Sequence, residues 1–167
     1  MSIRVYVPST AQRLRRLLAV GTIGPAPFAA HAVTDAVRRE LSDVSQEEWE
    51  YAASTAAAQA SIRLLDADEP PRRVVVAVDV PKVRAADPED PTAVEVEEVA
   101  PLRRVAAVLA DSAEAESSVA EARDAVAGAA GAAGAADAER LLLRCLDHEP
   151  GWWAVQELDV LVSHAHR

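Results

Sequence analysis

The stretch that decides the fold is SQEEWEYAASTAAAQASIRLL, residues 45–65. Ser45 and Glu48 have the spacing of a capping box, in which two side chains satisfy free backbone N–H groups at the start of a helix. Apolar and small residues then recur at helical spacing on one face, namely Trp49, Ala52, Ala53, Ala56, Ala57, Ala60 and Leu64. Because most of that face is alanine, the stretch predicts a long helix that packs closely against a sheet.

Strand patterns lie on both sides of this helix. Before it, IRVYV (residues 3–7) and FAAHAV (28–33) are short apolar runs, each followed by residues that cap a helix. After it, RRVVVAVDV (72–80) contains an unbroken apolar run, which is typical of a central strand covered on both faces. AVEVEEVA (93–100) alternates like a strand with one wet face, and RVAAVLA (104–110) leads into a further helix.

The alternation of strands and helices predicts an α/β or α+β fold. At 167 residues, the chain has the length of one domain, so we expect a single layered domain over residues 1–167. Its core would be a central mixed sheet of about five to six strands with helices packed on it, and a ferredoxin-like arrangement is the alternative. Residues 82–92 are predicted to be an acidic surface loop, and residues 128–136 a Gly/Ala-rich connector.

Composition limits the classes of partner and compartment. The chain has 27 acidic and 17 basic residues and a formal charge of −10, which disfavours nucleic acid and favours a partner with a basic surface. A lone cysteine, Cys145, excludes an internal disulfide and suits a reducing compartment. No apolar run approaches the roughly 18 residues of a membrane span, and the N-terminus enters a strand pattern directly. We therefore expect a cytoplasmic protein without a membrane partner.

Five segments carry a resemblance to a known family. They are RVYVPST (4–10), AHAVTDAVRREL (30–41), EEWEYAASTAAAQASIRLL (47–65), RRVVVAVDVP (72–81) and WWAVQELDVLV (152–162). Together they resemble an uncharacterised family of small actinobacterial proteins. The resemblance implies a single domain of conserved length, and it brings no activity and no catalytic residues.

Three aspartates form the main candidate metal or acid/base site. Asp35, Asp79 and Asp111 lie at or near the carboxyl ends of three predicted strands, which is where open α/β sheets bind ligands. Three carboxylates meeting there could hold a divalent cation or exchange protons with a substrate. The favoured interpretation is simpler: Asp35 and Asp111 cap helices, and Asp79 ends a strand in solvent.

Other residue types give little sign of chemistry. His31 lies between alanines of a strand, which favours a packed or hydrogen-bonded histidine over a catalytic base. Cys145 follows a leucine run and is predicted to be a core residue. His164 and His166 have a spacing that binds transition metals adventitiously. The chain has no phosphate-binding glycine loop and no nucleophile elbow, so we predict no cofactor.

Two features are candidates for partner binding. Trp152 and Trp153 are adjacent in a predicted strand and so face opposite ways. If Trp152 enters the core, Trp153 faces solvent, a covering helix or a partner; it is either buried by that helix or an interface anchor. Residues 87–98 carry six of the 27 acids and no lysine or arginine. Within this segment the candidate partner-binding residues are Glu95, Glu97 and Glu98.

The leading functional hypothesis from the sequence is a small cytoplasmic binding or regulatory protein that acts through protein partners without its own catalysis. The alternative is a small metal-dependent or acid/base enzyme that uses the strand-end aspartates.

Overall fold

The computed structural model describes residues 1–164, and their side chains up to residue 163. Its strands are β1 Ile3–Ser9, β2 Thr22–Ile23, β3 Phe28–Ala32, β4 Val74–Val80, β5 Arg84–Ala85, β6 Ala93–Val96, β7 Ala100–Pro101, β8 Val105–Ala110 and β9 Gly151–Trp153. Its α-helices are α1 Ala11–Val20, α2 Asp35–Glu40, α3 Gln46–Ile62, α4 Glu116–Gly128, α5 Gly131–Arg144 and α6 Leu158–His164.

The main sheet of the described region has seven strands in the order β5-β6-β3-β1-β4-β8-β9. All neighbouring strands are antiparallel, so the expected mixed sheet of five to six strands is corrected. Strands β2 and β7 form a separate antiparallel pair. The first elements follow roughly the β-α-β-β-α-β order of a ferredoxin-like fold, but β2 lies outside the main sheet, so the sheet is not the one of that fold.

Helices cover both faces of the middle of the sheet. In β4, Val74, Val76 and Val78 join a core with the leucines of α1 and α6, whereas Val75 and Ala77 lie against α3. All five of these residues are buried, which confirms the predicted strand with two covered faces. Burial on both faces is common in parallel sheets, but it follows here from helices packed on both sides of an antiparallel one.

Helix α3 begins with the predicted capping box. The Ser45 hydroxyl accepts a hydrogen bond from Glu48 N, and the Glu48 carboxylate accepts one from Ser45 N. The fully buried positions of its sheet-facing side are Ala53 and Ala57, while Ala56 is only half-buried. The alanine face of α3 therefore packs against the sheet as predicted. The closest part of this contact is at Ala53 and Ala57, and Ala56 lies beside it.

The Gly/Ala-rich segment is not a nine-residue connector. Residues 128–136 contain the last residue of α4, a two-residue break and the first turns of α5. Alanine has the highest helix propensity, so the low-complexity sequence continues as helix. Gly131 adopts a φ of 66°, a left-handed conformation that glycine adopts at little cost, and this allows the chain to reverse between the two helices.

A leucine at position 57 tests how closely α3 approaches the sheet. Ala57 is fully buried beside Val75 and Ala77, so Ala57→Leu inserts a large side chain where no space is free. We expect the free energy of unfolding to fall by roughly 1 to 3 kcal/mol, measured by urea denaturation. Ala56→Leu, one residue along the same helix, is the matched control and should cost less. Equal costs at the two positions would contradict this packing.

Candidate functional site

A cavity of about 940 Å³ opens at one end of the main sheet. It lies where β3 ends and β1 begins, and its walls include α2, the first turns of α3 and residues 81–94. The cavity is thus close to the strand end at which Asp35 and Asp79 were expected. Both apolar and charged side chains line it, as is usual for ligand sites.

Tyr6 forms part of the cavity wall. Its position on β1 is opposite His31 of β3, and the Tyr6 side chain packs with Ala53 and Ala57 of α3. Burial raises the pKa of Tyr6, and the negative charge of Glu50 on α3 raises it further. The phenol is therefore neutral at pH 7 and able to donate a hydrogen bond.

An ion pair joins β1 to β4 beside the cavity. Arg4 Nε lies 2.6 Å from Asp79 Oδ1, and Arg4 Nη2 lies 3.1 Å from Asp79 Oδ2. The bidentate contact raises the pKa of Arg4. Both carboxylate oxygens of Asp79 are engaged by a cation, so Asp79 is a poor ligand for a metal ion.

Thr34, not Asp35, caps helix α2. The Thr34 hydroxyl accepts a hydrogen bond from Val37 N at 3.1 Å and donates one to Pro91 O at 2.5 Å. Asp35 is the first helical residue; it is exposed and pairs with Arg38 at 3.3 Å. Thr34 therefore ties one wall of the cavity to the loop that forms another.

His31 is a buried, hydrogen-bonded residue, as the sequence predicts. Its Nδ1 lies 2.8 Å from Thr92 Oγ1, and the Thr92 hydroxyl donates to Asp90 Oδ1 at 2.6 Å. Burial lowers the pKa of His31, although Asp90 acts in the opposite direction. The network anchors the acidic loop to β3, because Asp90 and Thr92 belong to that loop and His31 belongs to β3. Asp90 also lines the cavity.

Asp111 lies at the opposite end of the sheet from Asp79. Strand β8 runs antiparallel to β4, so the end of β8 meets Arg73 at the start of β4. At the rise per residue of a β-strand, Arg73 lies about 20 Å from Asp79. The expected helix cap at Asp111 is instead Ser112, whose side chain accepts from Glu114 N. The three aspartates therefore do not converge, and residues 1–164 contain no cluster of three or more histidine, cysteine or acidic side chains suited to a metal ion.

Asp111 and Arg73 form a buried ion pair. Arg73 Nε and Nη2 lie 2.8 Å from the two carboxylate oxygens of Asp111, and the Arg73 backbone N–H donates to the same carboxylate. Arg73 Nη2 also donates to His148 O at 2.6 Å. The two side chains are 2% and 0% exposed, so the pair is structural and closed to ligands.

Cys145 is buried in the core between α3, α4 and α5, as predicted. Burial raises the pKa of its thiol, so the reactive thiolate is disfavoured. The histidine pair at the C-terminus cannot be placed, because His166 and the side chain of His164 lie outside the described residues.

The two tryptophans of β9 have the opposite orientation to the one considered from the sequence, in which Trp152 enters the core. Trp153 packs against the core cluster that contains α1 and α6, whereas Trp152 is 65% exposed on the edge strand β9. A single-residue change of register exchanges the two faces of a strand, and sequence alone does not fix it here. Of these two tryptophans, Trp152 and not Trp153 is therefore the exposed one.

Glu95 of β6 and Glu97, just after this strand, are paired within the chain. Glu95 forms an ion pair with Arg84, and Glu97 lies 3.2 Å from Lys82 Nζ. Arg84 lies in β5, and Lys82 lies just before it. Because β5 pairs with β6, β6 is not the edge strand of the sheet. Glu98 remains exposed. The charge available to a partner is therefore smaller than residues 87–98 suggest.

The sequence reasoning missed the cavity side chains Arg4, Tyr6 and Glu50. Arg4 and Tyr6 alternate with Val5 and Val7, so a polar face of β1 could have been recognised. The proximity of Glu50 to Tyr6 depends on how α3 crosses the sheet, and no local pattern encodes that.

Nearly the whole chain matches one family model. A model of a family of unknown function, DUF6912, matches residues 3–162. The chain belongs to this family. DUF6912 membership confirms the resemblance to an uncharacterised family, and neither the curated proteins nor the solved structures contain a match. None of the helices described for this DUF6912 chain is long and apolar enough to cross a membrane.

Removing the buried carboxylate should be costly. Asp111→Asn leaves the Arg73 charge without its buried counter-charge, and we expect the free energy of unfolding to fall by roughly 3 to 5 kcal/mol. The control is Glu116→Gln, which breaks the more exposed Arg72–Glu116 pair and should cost less than about 1 kcal/mol. Denaturant unfolding measures both, and similar small losses would show that the buried pair is dispensable.

Proposed function

We propose that this protein is a non-catalytic binding protein that receives a cationic side chain from a basic segment of a protein partner. The ligand site is the cavity at the end of β3. The matched range of residues 3–162 supports treating the chain as one domain, and the buried, unpaired Cys145 supports a cytoplasmic location.

The charge of the cavity favours a cation. Five carboxylates line it, those of Asp35, Glu40, Glu50, Asp87 and Asp90, against three arginines, Arg4, Arg38 and Arg39. Arg4 is neutralised by Asp79, which is not among the lining residues. Arg38 is engaged with Asp35 and lies over the Trp49 ring, 5.6 Å from its centroid. The balance left for a ligand is negative.

The observation that carries the proposal is the juxtaposition of Tyr6 and Glu50 in the cavity. An aromatic ring and a carboxylate together suit a guanidinium or an ammonium group, because the ring attracts cations and the carboxylate forms a charge-assisted hydrogen bond. Tyr6 is buried and Glu50 is half-buried, and interactions with a cation at such positions are stronger than in open solvent. The residues come from two rigid elements, β1 and α3, so the pair is held in place before a ligand arrives.

The charge of the whole chain also supports a basic partner. At −10, the protein attracts cationic segments and speeds their encounter at low ionic strength. Glu95 and Glu97, the first candidates for this role, are paired with Arg84 and Lys82. Within residues 87–98, Asp87 and Asp90 line the cavity. We therefore assign partner recognition to the cavity and its acidic rim.

Peptide binding tests the proposal directly. The probe is a fluorescein-labelled peptide of alternating arginine and glycine, compared by polarisation with the same peptide carrying glutamate for arginine. We expect salt-sensitive binding of the arginine peptide only, weakened about tenfold by Glu50→Gln, which corresponds to about 1.4 kcal/mol. Glu47→Gln removes an exposed charge from the same helix outside the cavity and is the matched control. Equal effects of the two substitutions would show that only overall charge matters.

The alternative function is a small acid/base or metal-dependent enzyme. It draws support from Tyr6, a protonated phenol in an open cavity and thus a candidate proton donor. Of the two forms of this alternative, the metal-dependent enzyme can be tested directly by adding metal ions. Because both carboxylate oxygens of Asp79 accept hydrogen bonds from Arg4, we expect Mg²⁺, Mn²⁺ and Zn²⁺ to leave the melting temperature of the protein unchanged. A rise that is lost in Asp79→Asn would favour the enzyme instead.

A further inference from the structure

A second depression, of about 640 Å³, lies beside the cavity. It is formed where β4 ends and β8 begins, and it shares Met1, Ser2 and Pro81 with the cavity wall. The two sites are therefore neighbours, but their charged side chains differ. The cavity has an excess of carboxylates, whereas the charged side chains of the depression are Arg103, Arg104 and Asp79.

Neither Arg103 nor Arg104 has an ion-pair or hydrogen-bond partner for its side chain within residues 1–164. Nine other lysines and arginines of the described residues form ion pairs. Arg103 and Arg104 differ from other arginines without a partner among these residues, such as Arg16, because both line one depression. Arg104 is moreover half-buried. Arg103 and Arg104 line the same depression, so an anion bound there would be attracted by both positive charges.

Asp79 does not neutralise these arginines. Both of its carboxylate oxygens accept hydrogen bonds from Arg4, which lies on the cavity side. The Arg4–Asp79 pair therefore stands between the two sites, with the cation lining one and the anion lining the other. The depression keeps a net positive charge once this pairing is counted.

We propose that Arg103 and Arg104 form a binding site for a small phosphate-type oxyanion, either inorganic phosphate or a phosphomonoester. Guanidinium groups bind tetrahedral oxyanions through paired N–H donors, and two of them match the charge of a phosphate dianion. A long nucleic acid is a poor occupant, because a chain of charge −10 repels a phosphate backbone outside this one site. The site does not depend on the cationic ligand of the cavity.

Asp79 should weaken this site, since it lines the same depression and its carboxylate neutralises the neighbouring Arg4 cation. Replacing it with asparagine removes the carboxylate, frees the Arg4 charge to attract an anion and keeps a side chain of the same size. Asp79→Asn therefore has an effect opposite in sign to loss of either arginine. A general loss of folding would lower affinity in every variant and would not reproduce this difference.

Titrations at fixed ionic strength test the site on the whole chain. The probes are inorganic phosphate and glycerol 2-phosphate, with chloride as the reference, followed by the Nε–H resonances of the arginine side chains and by calorimetry. We expect saturable shifts of the Arg103 and Arg104 resonances with at least one phosphate probe and none with chloride. Affinity should fall about tenfold or more in Arg103→Ala and in Arg104→Ala, and rise about threefold in Asp79→Asn.

The matched control is Arg16→Ala, which removes an exposed arginine of α1 that is not part of the depression. It should leave the affinity unchanged. Binding of glycerol 2-phosphate without inorganic phosphate would identify the phosphomonoester as the occupant. The proposal is overturned if neither probe saturates, if chloride gives the same shifts, or if Arg16→Ala weakens binding as much as Arg104→Ala does.

Discussion

The close approach of α3 to the sheet is the constraint on which the candidate site depends. Ala53 and Ala57 are fully buried against Val75 and Ala77, and larger side chains there would hold the helix away. The same approach brings the first turns of α3 over the first half of β1, where Glu50 adds its charge to the surroundings of Tyr6. A helix packed farther out would separate these groups, so the packing of the alanines determines the electrostatics of the cavity.

The two ends of the main sheet are stabilised differently, and this explains why the site lies at one of them. At the start of β4, Arg73 and Asp111 are fully buried, and the Cys145 core packs beside them. Buried pairs of this kind tolerate no loss of one partner. At the other end, Arg4 and Asp79 remain partly exposed. Groups there can exchange water for a ligand at low cost, whereas the first end is closed by packing.

Local patterns predicted α3 and β4 correctly. The capping box and alanine spacing identified α3, and the valine run identified β4 as a strand covered on both faces. Strand direction was not predictable, because an apolar run reports burial and not orientation. The two-residue strands, such as β5, have no pattern to detect. The Gly/Ala segment misled because alanine is common both in linkers and in helices.

Much less of the candidate site could be predicted. Asp79 was correctly placed near a strand end, but its partner Arg4 lies 75 positions earlier and meets it only through strand pairing. The alternative in which Asp79 and Asp111 meet at one site is wrong, because β8 runs antiparallel to β4 and places Asp111 at the other end of the sheet. His31 was interpreted correctly because burial between alanines is a local property. Sites built from distant segments require the fold before their chemistry can be assessed.

The central claim is that a cationic group lies beside Tyr6 in the cavity. Intermolecular nuclear Overhauser effects between the arginine peptide and the isotope-labelled protein test it most directly, because they report contacts and not affinity. We predict contacts from the arginine side-chain methylenes to the Tyr6 ring. Contacts confined to another surface, such as the exposed ring of Trp152, would contradict the account.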